Sequence, residues 1–178
     1  MPMRPPRLLE TRELLEYAVK LLAGRACSTG EMREKLRRKA ARAEDVDAVM
    51  AQLKEHGYLD DARFAESYAS ARLETQGFGS GRVLRDLRGR RVAPAVAERT
   101  VRELYAKVDE EALVEEFLRR KLRGKGAVLE EEKDVAAAWR KLQRAGFAPG
   151  VALRVLKRFA ANPALLDGFE PAEEAGEE

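Results

Sequence analysis

One apolar skeleton recurs three times along the chain. Leu36, Ala41, Val46, Met50 and Leu53 reappear as Leu87, Val92, Ala97, Val101 and Leu104, and again as Leu142, Phe147, Ala152, Leu156 and Phe159. The offsets of 5, 10, 14 and 17 are the same in each copy, and the copies stand 51 and then 55 residues apart. A long fixed period of this kind marks a supersecondary unit laid down in tandem. No segment alternates apolar and polar residues with period 2, whereas the helical period of 3.6 is frequent. The pattern therefore predicts an all-α chain: a tandem repeat of three helix-turn-helix-like units, each of three helices.

Local signals place the helices. A first is predicted from about Leu8 to Ala23, ended by Gly24. Ser28 and Glu31 have capping-box spacing, so that each side chain satisfies a backbone donor at the other's position, and they open a helix reaching about Lys39. Glu44 and Asp45 suit the positive end of a third helix, closed by Gly57. Asp60 and Asp61 are expected to cap a fourth carrying Phe64, Ala65, Tyr68, Ala69 and Leu73, which Gly77 ends. Ser80 opens a fifth, to about Arg90, and Pro94, suited to a first helical position, a sixth, to about Ala106. Glu110 to Arg123, Glu131 to Arg144 and Pro149 to Ala161 complete the third set, with a basic loop at Gly124, Lys125 and Gly126 supplying the extra residues of spacing. The expected organisation is one repeat at 8–57, a second at 58–107, a third at 108–162 and an acidic, disordered tail at 163–178, with Leu165, Leu166 and Phe169 docking back.

Composition narrows the chemistry. Charged residues make up 37% of the 178 and aromatics 6%, which suits helices with thin apolar stripes and argues against a large apolar ligand pocket. Cys27 is the only cysteine and reads as a small buried residue at a bend. Without an apolar run of membrane length, a soluble cytoplasmic protein with no membrane partner is expected. His56, the only histidine, leaves little from which to build a metal site or a catalytic triad, and its place before Gly57 favours a helix-end role. Gly77, Gly79 and Gly81 lack the strand and the Lys-Ser/Thr pair of a phosphate loop, and read as a flexible connection. The acidic clusters at Asp60 and Asp61, Asp109 to Glu111, and Glu130 to Glu132 all fall at helix starts, where anions stabilise exposed N–H groups. No enzymatic activity, cofactor or metal is expected.

Net charge is only +3, but it is unevenly laid out: residues 1–42 carry +6, residues 43–61 carry −5, and residues 62–107 carry +5. Arg33, Lys35, Arg37, Arg38 and Lys39 surround one helix. Arg82, Arg85, Arg88, Arg90 and Arg91 mark the equivalent helix of the second repeat, and Arg140, Lys141 and Arg144 that of the third. A single arginine is explained by solvation alone. Three equivalent helices all biased positive point to a polyanion or an acidic protein surface. Sequence-specific reading of duplex DNA is less supported, because these helices carry few of the Asn, Gln and Ser residues that reach base edges.

Several motifs resemble the RecX family of regulatory proteins. Arg25, Cys27, Ser28, Glu31 and Leu36 are similar to one family segment, with Met32 where the family usually has Leu. More specific is Gly57, Tyr58, Leu59, Asp60 and Asp61 followed by Phe64, Ala65, Tyr68 and Arg72. Gly77, Arg82, Val83 and Leu87, then Leu142, Gly146 and Phe147, continue the likeness, which covers about residues 10 to 160. One departure is Arg91, standing where the family usually has Gly, at a place that calls for a left-handed turn. The resemblance implies an elongated, curved all-helical body that binds the RecA recombinase in the groove of its nucleoprotein filament. It also implies inhibition of filament extension, ATP hydrolysis, strand exchange and coprotease activity, and so modulation of recombinational DNA repair and the SOS response, with weak contact to single- or double-stranded DNA. The expected partner or phosphate contacts are Arg25, Arg33, Arg37, Arg38, Arg72, Arg82, Arg85, Arg88 and Arg91 on a monomer. Tyr58, Phe64 and Tyr68 read as core, and Asp60 and Asp61 as caps. The alternative reading is a helix-turn-helix regulator that acts on duplex DNA without RecA.

Overall fold

The computed structural model describes residues 8–122, 128–166 and 169. Among them lie nine α-helices: α1 Thr11–Gly24, α2 Thr29–Arg37, α3 Ala43–Glu55, α4 Asp61–Gln76, α5 Ser80–Gly89, α6 Pro94–Tyr105, α7 Glu110–Lys121, α8 Glu132–Ala145 and α9 Pro149–Phe159. A 3-10 turn at Pro163–Leu166 follows. The fold is all-α and built of tandem three-helix units, as the periodicity predicts. The expected basic loop at 124–126 and the end of the acidic tail lie outside the described residues.

Helix ends follow the local chemistry. Ser28 Oγ accepts from the Glu31 N–H at 3.0 Å while Glu31 Oε2 accepts from the Ser28 N–H at 3.4 Å, completing the capping box of α2. Asp109 accepts from the Ala112 N–H at 3.1 Å and caps α7, and Pro149 opens α9. Gly57, Gly77 and Gly146 close α3, α4 and α8 with φ of 69°, 59° and 81°. These are left-handed values that cost residues with a Cβ. His56 sits at the end of α3, with Nδ1 2.8 Å from the Gln52 carbonyl. Two expectations shift. α1 begins at Thr11 because Leu9 pairs as an isolated bridge with Ala40: Leu9 N–H donates to Lys39 O at 2.7 Å and Ala41 N–H to Leu9 O at 2.8 Å. That bridge turns Ala40 toward the core and leaves Ala41, a member of the repeated skeleton, exposed. Of the other skeleton positions only Leu104 is less than fully buried.

The chain divides into two compact units, one of residues 1–68 and 86–100, the other of residues 69–85 and 101–178, so that α4, α5 and α6 each contribute to both. The first holds a core of Leu14, Ala18, Met32, Leu36, Val46, Val49, Met50 and Leu53. Cys27 is buried with them, its thiol 3.7 Å from the Arg25 carbonyl at the bend before α2. The second is larger, with Val114, Phe117 and Leu118 of α7 meeting Leu142, Phe147, Leu156 and Phe159. Leu166 is buried against it, and Phe169 meets Trp139 edge to face, so the start of the tail docks. Each fully buried Leu or Met contributes on the order of 1.5–3 kcal/mol. Asp45 is a charged exception in the first unit, 3% exposed. The Thr11 hydroxyl donates to it at 2.5 Å and Arg42 lies at 3.4 Å, and these hold its carboxyl below the ordinary aspartate range despite burial. Its contribution is present above that range and is lost as pH falls through the lowered pKa.

One junction is built twice. In the first unit Ser28 donates through Oγ to the Arg90 carbonyl, and Arg91 adopts φ 57°, the one non-glycine positive value among the described residues. A Cβ on Gly30 would come within 2.6 Å of Arg91 Cβ and run into the Arg91 carbonyl. In the second unit Gly79 N–H donates to Ala145 O at 2.8 Å and Gly81 N–H to Gly146 O at 3.0 Å. A Cβ on Gly146 would stand 2.6 Å from Arg82 Cβ. Gly30 and Gly81 are 51 residues apart and Arg91 and Gly146 are 55 apart, the spacings of the skeleton itself. Gly79 and Gly81 are thus a close-packed seat for a left-handed turn, and the flexible connection expected there is not found.

Two outcomes follow from these contacts. Gly146→Ala combines a positive φ with a collision on the Arg82 backbone and should lower stability by about 2 kcal/mol or more, whereas Arg91→Gly should be neutral or stabilising by a few tenths of a kcal/mol. Urea unfolding midpoints check both. Tyr105 OH donates to the Phe78 carbonyl at 2.6 Å, and burial raises its pKa to about 12. Unfolded tyrosine titrates near 10. The contribution is therefore fully present below pH 10 and lost as pH rises toward 12, and Tyr105→Phe, costing about 1 kcal/mol at pH 7, should remove that alkaline sensitivity in thermal melts.

Candidate partner and nucleic-acid interface

Helix α2 ends in basic residues because its solvent face has no apolar stripe to bury, and cations there favour the C-terminal dipole. Arg37 and Arg38 are exposed, and Arg38 donates to Glu34 Oε1 at 2.9 Å. The Glu34 carboxyl is held below its usual range first by that hydrogen bond, then by the charge of Arg91, with Arg37 adding to it. Seating the Arg91 turn on Gly30 thus brings a residue 57 positions from Glu34 onto α2, where its charge acts on the same carboxyl as those of Arg37 and Arg38.

The remaining expected contacts of this unit are each tied to an acid. Arg33 pairs with Asp47 at 2.5 Å, Arg88 with Glu98 at 2.8 Å, and Arg25 with Glu31 at 3.9 Å. Solvent-exposed pairs of this kind hold about 0–1 kcal/mol, so a phosphate or a partner carboxylate can displace the internal acid at small cost. In the second unit Arg85 is exposed and reaches the Arg144 carbonyl at 3.5 Å. Arg72 and Arg82 are half-buried, and the Arg82 guanidinium lies 5.4 Å from the Phe78 ring centroid. Arg154 and Arg158 clamp Glu111 at 3.0 and 2.5 Å and hold its carboxyl below the usual range.

The signature motif is arranged differently from its core-and-cap expectation. Asp60 does cap α4, accepting from the Arg63 N–H at 3.0 Å. Asp61 instead accepts from the Thr29 N–H at 2.6 Å and caps α2, a helix 32 residues earlier. Phe64 and Tyr68 are half-buried and stacked, but Tyr58 is 53% exposed, because Gly57 turns left-handed and sends Leu59 inward in its place. Tyr58, Phe64 and Tyr68 line a cavity of about 400 Å³ in the first unit with Leu22, Ala26, Cys27, Arg25, Asp60, Arg63, Ser67 and Arg90. Arg63 and Arg90 stand outside the residues expected from sequence. Charge counting along single helices marks Arg90 as part of the basic second-repeat helix but does not single it out, and it misses Arg63, although Arg63 lies inside the signature motif. Arg90 packs 4.7 Å over the Tyr68 ring and reaches Glu31 at 3.4 Å. Among the described residues no group of three or more His, Cys, Asp or Glu side chains is placed to hold a metal ion, and no helix is long and apolar enough to cross a membrane.

Comparison with known proteins bears on what this surface serves. Residues 15–53 match the family model of the first three-helix domain of RecX, and residues 60–101 that of the second. The chain is 31% identical over 156 residues to the regulatory protein RecX of Amycolatopsis mediterranei, covering 85% of this chain and 88% of that one. It is 30% identical over 130 residues to the regulatory protein RecX of Trichlorobacter lovleyi, covering 73% and 84%. The crystal structure of RecX from Lactobacillus salivarius superposes with a TM-score of 0.65 at 16% identity, over 84% of this chain and 96% of that one, a likeness of fold. With two successive three-helix domains matched and a relative aligned over most of both lengths, the chain belongs to the RecX family of regulatory proteins.

Proposed function

We propose that this chain, in repeats spanning 8–57, 58–107 and 108–162, is a non-enzymatic regulator of the RecA recombinase. It acts by binding the RecA nucleoprotein filament and inhibiting its extension, ATP hydrolysis, strand exchange and coprotease activity. Recombinational repair and the SOS response are the processes it would modulate, as a cytoplasmic monomer with weak affinity for DNA. The observation that carries this reading is the exposed basic end of α2, Arg37 and Arg38, with Arg91 seated on Gly30 of the same helix, in a chain of the RecX family. Arginines held in exchangeable pairs are preorganised for an acidic protein surface or a phosphate backbone, and a filament offers both at regular intervals. Binding across adjacent protomers would block addition of the next one. A preference for one filament state would promote disassembly through the same contacts.

Titration of the protein into a RecA and single-stranded DNA ATPase assay should suppress hydrolysis at substoichiometric to stoichiometric ratios. Unchanged hydrolysis at equimolar protein, with tight sequence-dependent duplex binding in its place, would instead support a duplex-binding regulator. The double reversal Arg37→Glu with Arg38→Glu should raise the concentration needed for half-inhibition by at least about tenfold, since each like-charge contact at an interface costs on the order of a kcal/mol or more. Thermal stability should stay nearly constant, because both side chains are exposed.

A further inference from the structure

Arg25 apart, the cavity beside the signature motif is lined by residues that the filament reading leaves unused. We propose that it binds one nucleotide of single-stranded nucleic acid, with the base against Tyr58 and the phosphate met by Arg25 and Arg63. The inference does not depend on RecA, because the cavity lies wholly within the first compact unit.

Three observations converge on this ligand. Tyr58 is a large aromatic left 53% exposed at a cavity wall, and His56 stacks on it with ring centroids 6.4 Å apart and planes 27° from parallel. Leu22, Ala26 and Cys27 give the same cavity an apolar lining. A cavity of this composition suits a heteroaromatic ring, for which base-on-aromatic stacking is a sequence-tolerant source of affinity. Second, the guanidinium groups here differ in availability. Arg90 is committed to the Tyr68 ring and to Glu31, whereas the Arg25 side chain is 57% exposed and meets Glu31 only at 3.9 Å. Arg63 is exposed, its guanidinium 3.2 Å from the Gly57 carbonyl. Third, the acids nearby are occupied. Asp60 accepts from the Arg63 N–H, and Glu31 from the Ser28 N–H and Arg90, which weakens their repulsion of an incoming anion.

Size and chemistry favour a nucleotide over an acidic peptide. A carboxylate side chain needs a cation alone and would leave most of about 400 Å³ unfilled, with the tyrosine face wet. A base with its phosphate uses the Tyr58 ring, the apolar lining and the two exposed cations, Arg25 and Arg63. The strand must be single, because in a duplex the base faces are stacked on neighbours and out of reach of a side chain.

The test is fluorescence anisotropy of a labelled oligo-dT 12-mer titrated with the full chain at low salt. Tyr58→Leu should weaken binding by about tenfold and Tyr58→Phe by less than about twofold, since stacking needs the ring and not the hydroxyl. Arg63→Gln should weaken binding and reduce the salt slope by about one. Arg99→Gln, an exposed arginine of α6 outside the cavity, controls for general charge and should change affinity by less than about twofold. Each variant is first checked for an unchanged thermal melt, which the exposure of Tyr58 and Arg63 favours. Wild-type binding by both Tyr58→Leu and Arg63→Gln overturns the proposal. So does displacement of the oligonucleotide by hexaglutamate as effectively as by unlabelled oligo-dT, which would assign the cavity to an acidic peptide. Assaying the same variants for RecA ATPase inhibition separates this site from the proposed filament function: inhibition that survives loss of oligonucleotide binding leaves that function standing.

Discussion

The close approach of a left-handed turn to the first turn of a helix organises this chain. It occurs once where Arg91 sits on Gly30 and once where Gly146 sits between Gly79, Gly81 and Arg82. The backbone comes so near that a single methyl group at Gly30 or Gly146 would fall inside van der Waals contact. Buried backbone donors and carbonyls at such a contact must find partners. They do so through Ser28 to Arg90 in one case and through Gly79 to Ala145 and Gly81 to Gly146 in the other. Successive repeats are joined by backbone as much as by side chains, which leaves the apolar stripes free to be thin.

The same constraint explains how charge is presented. A left-handed non-glycine residue costs roughly 1–2 kcal/mol, and at position 91 the chain bears that cost with an arginine. What the residue gains is position, since its guanidinium is delivered beside α2, where it lowers the Glu34 pKa together with Arg38 and Arg37. The equivalent place in the next junction is held by Gly146, which presents no charge. The two junctions therefore share a backbone plan and differ in what they offer a partner. The acidic residues have a matching dual use. Asp60, Asp61, Asp109 and Glu110 satisfy backbone donors, Glu34, Asp47 and Glu98 pair with arginines, and Glu31 does both.

Much of this was legible in the residues themselves. Helix number, class and most boundaries follow from the 3.6-residue period, from caps such as Ser28 with Glu31, and from terminal glycines such as Gly57 and Gly77, because those signals act within a few residues of one another. The repeated skeleton marked the buried positions, except Ala41, which the Leu9 bridge leaves exposed, and Leu104, which is half-buried. The signature around Gly57 to Arg72 points to the family by residue identity alone.

What the sequence by itself determined was therefore the set of helices, their apolar faces, the family and the bias of charge. Only the tertiary structure decided that Gly30, Gly79 and Gly81 are seats for another repeat, that Asp61 caps a helix 32 residues away, and that Tyr58 faces a cavity. It alone brought Arg91 to Glu34. The reason is one of range: helix periodicity and capping are written in neighbours three or four residues apart, whereas these contacts join residues 32 to 67 positions apart whose pairing leaves no local trace in the chain.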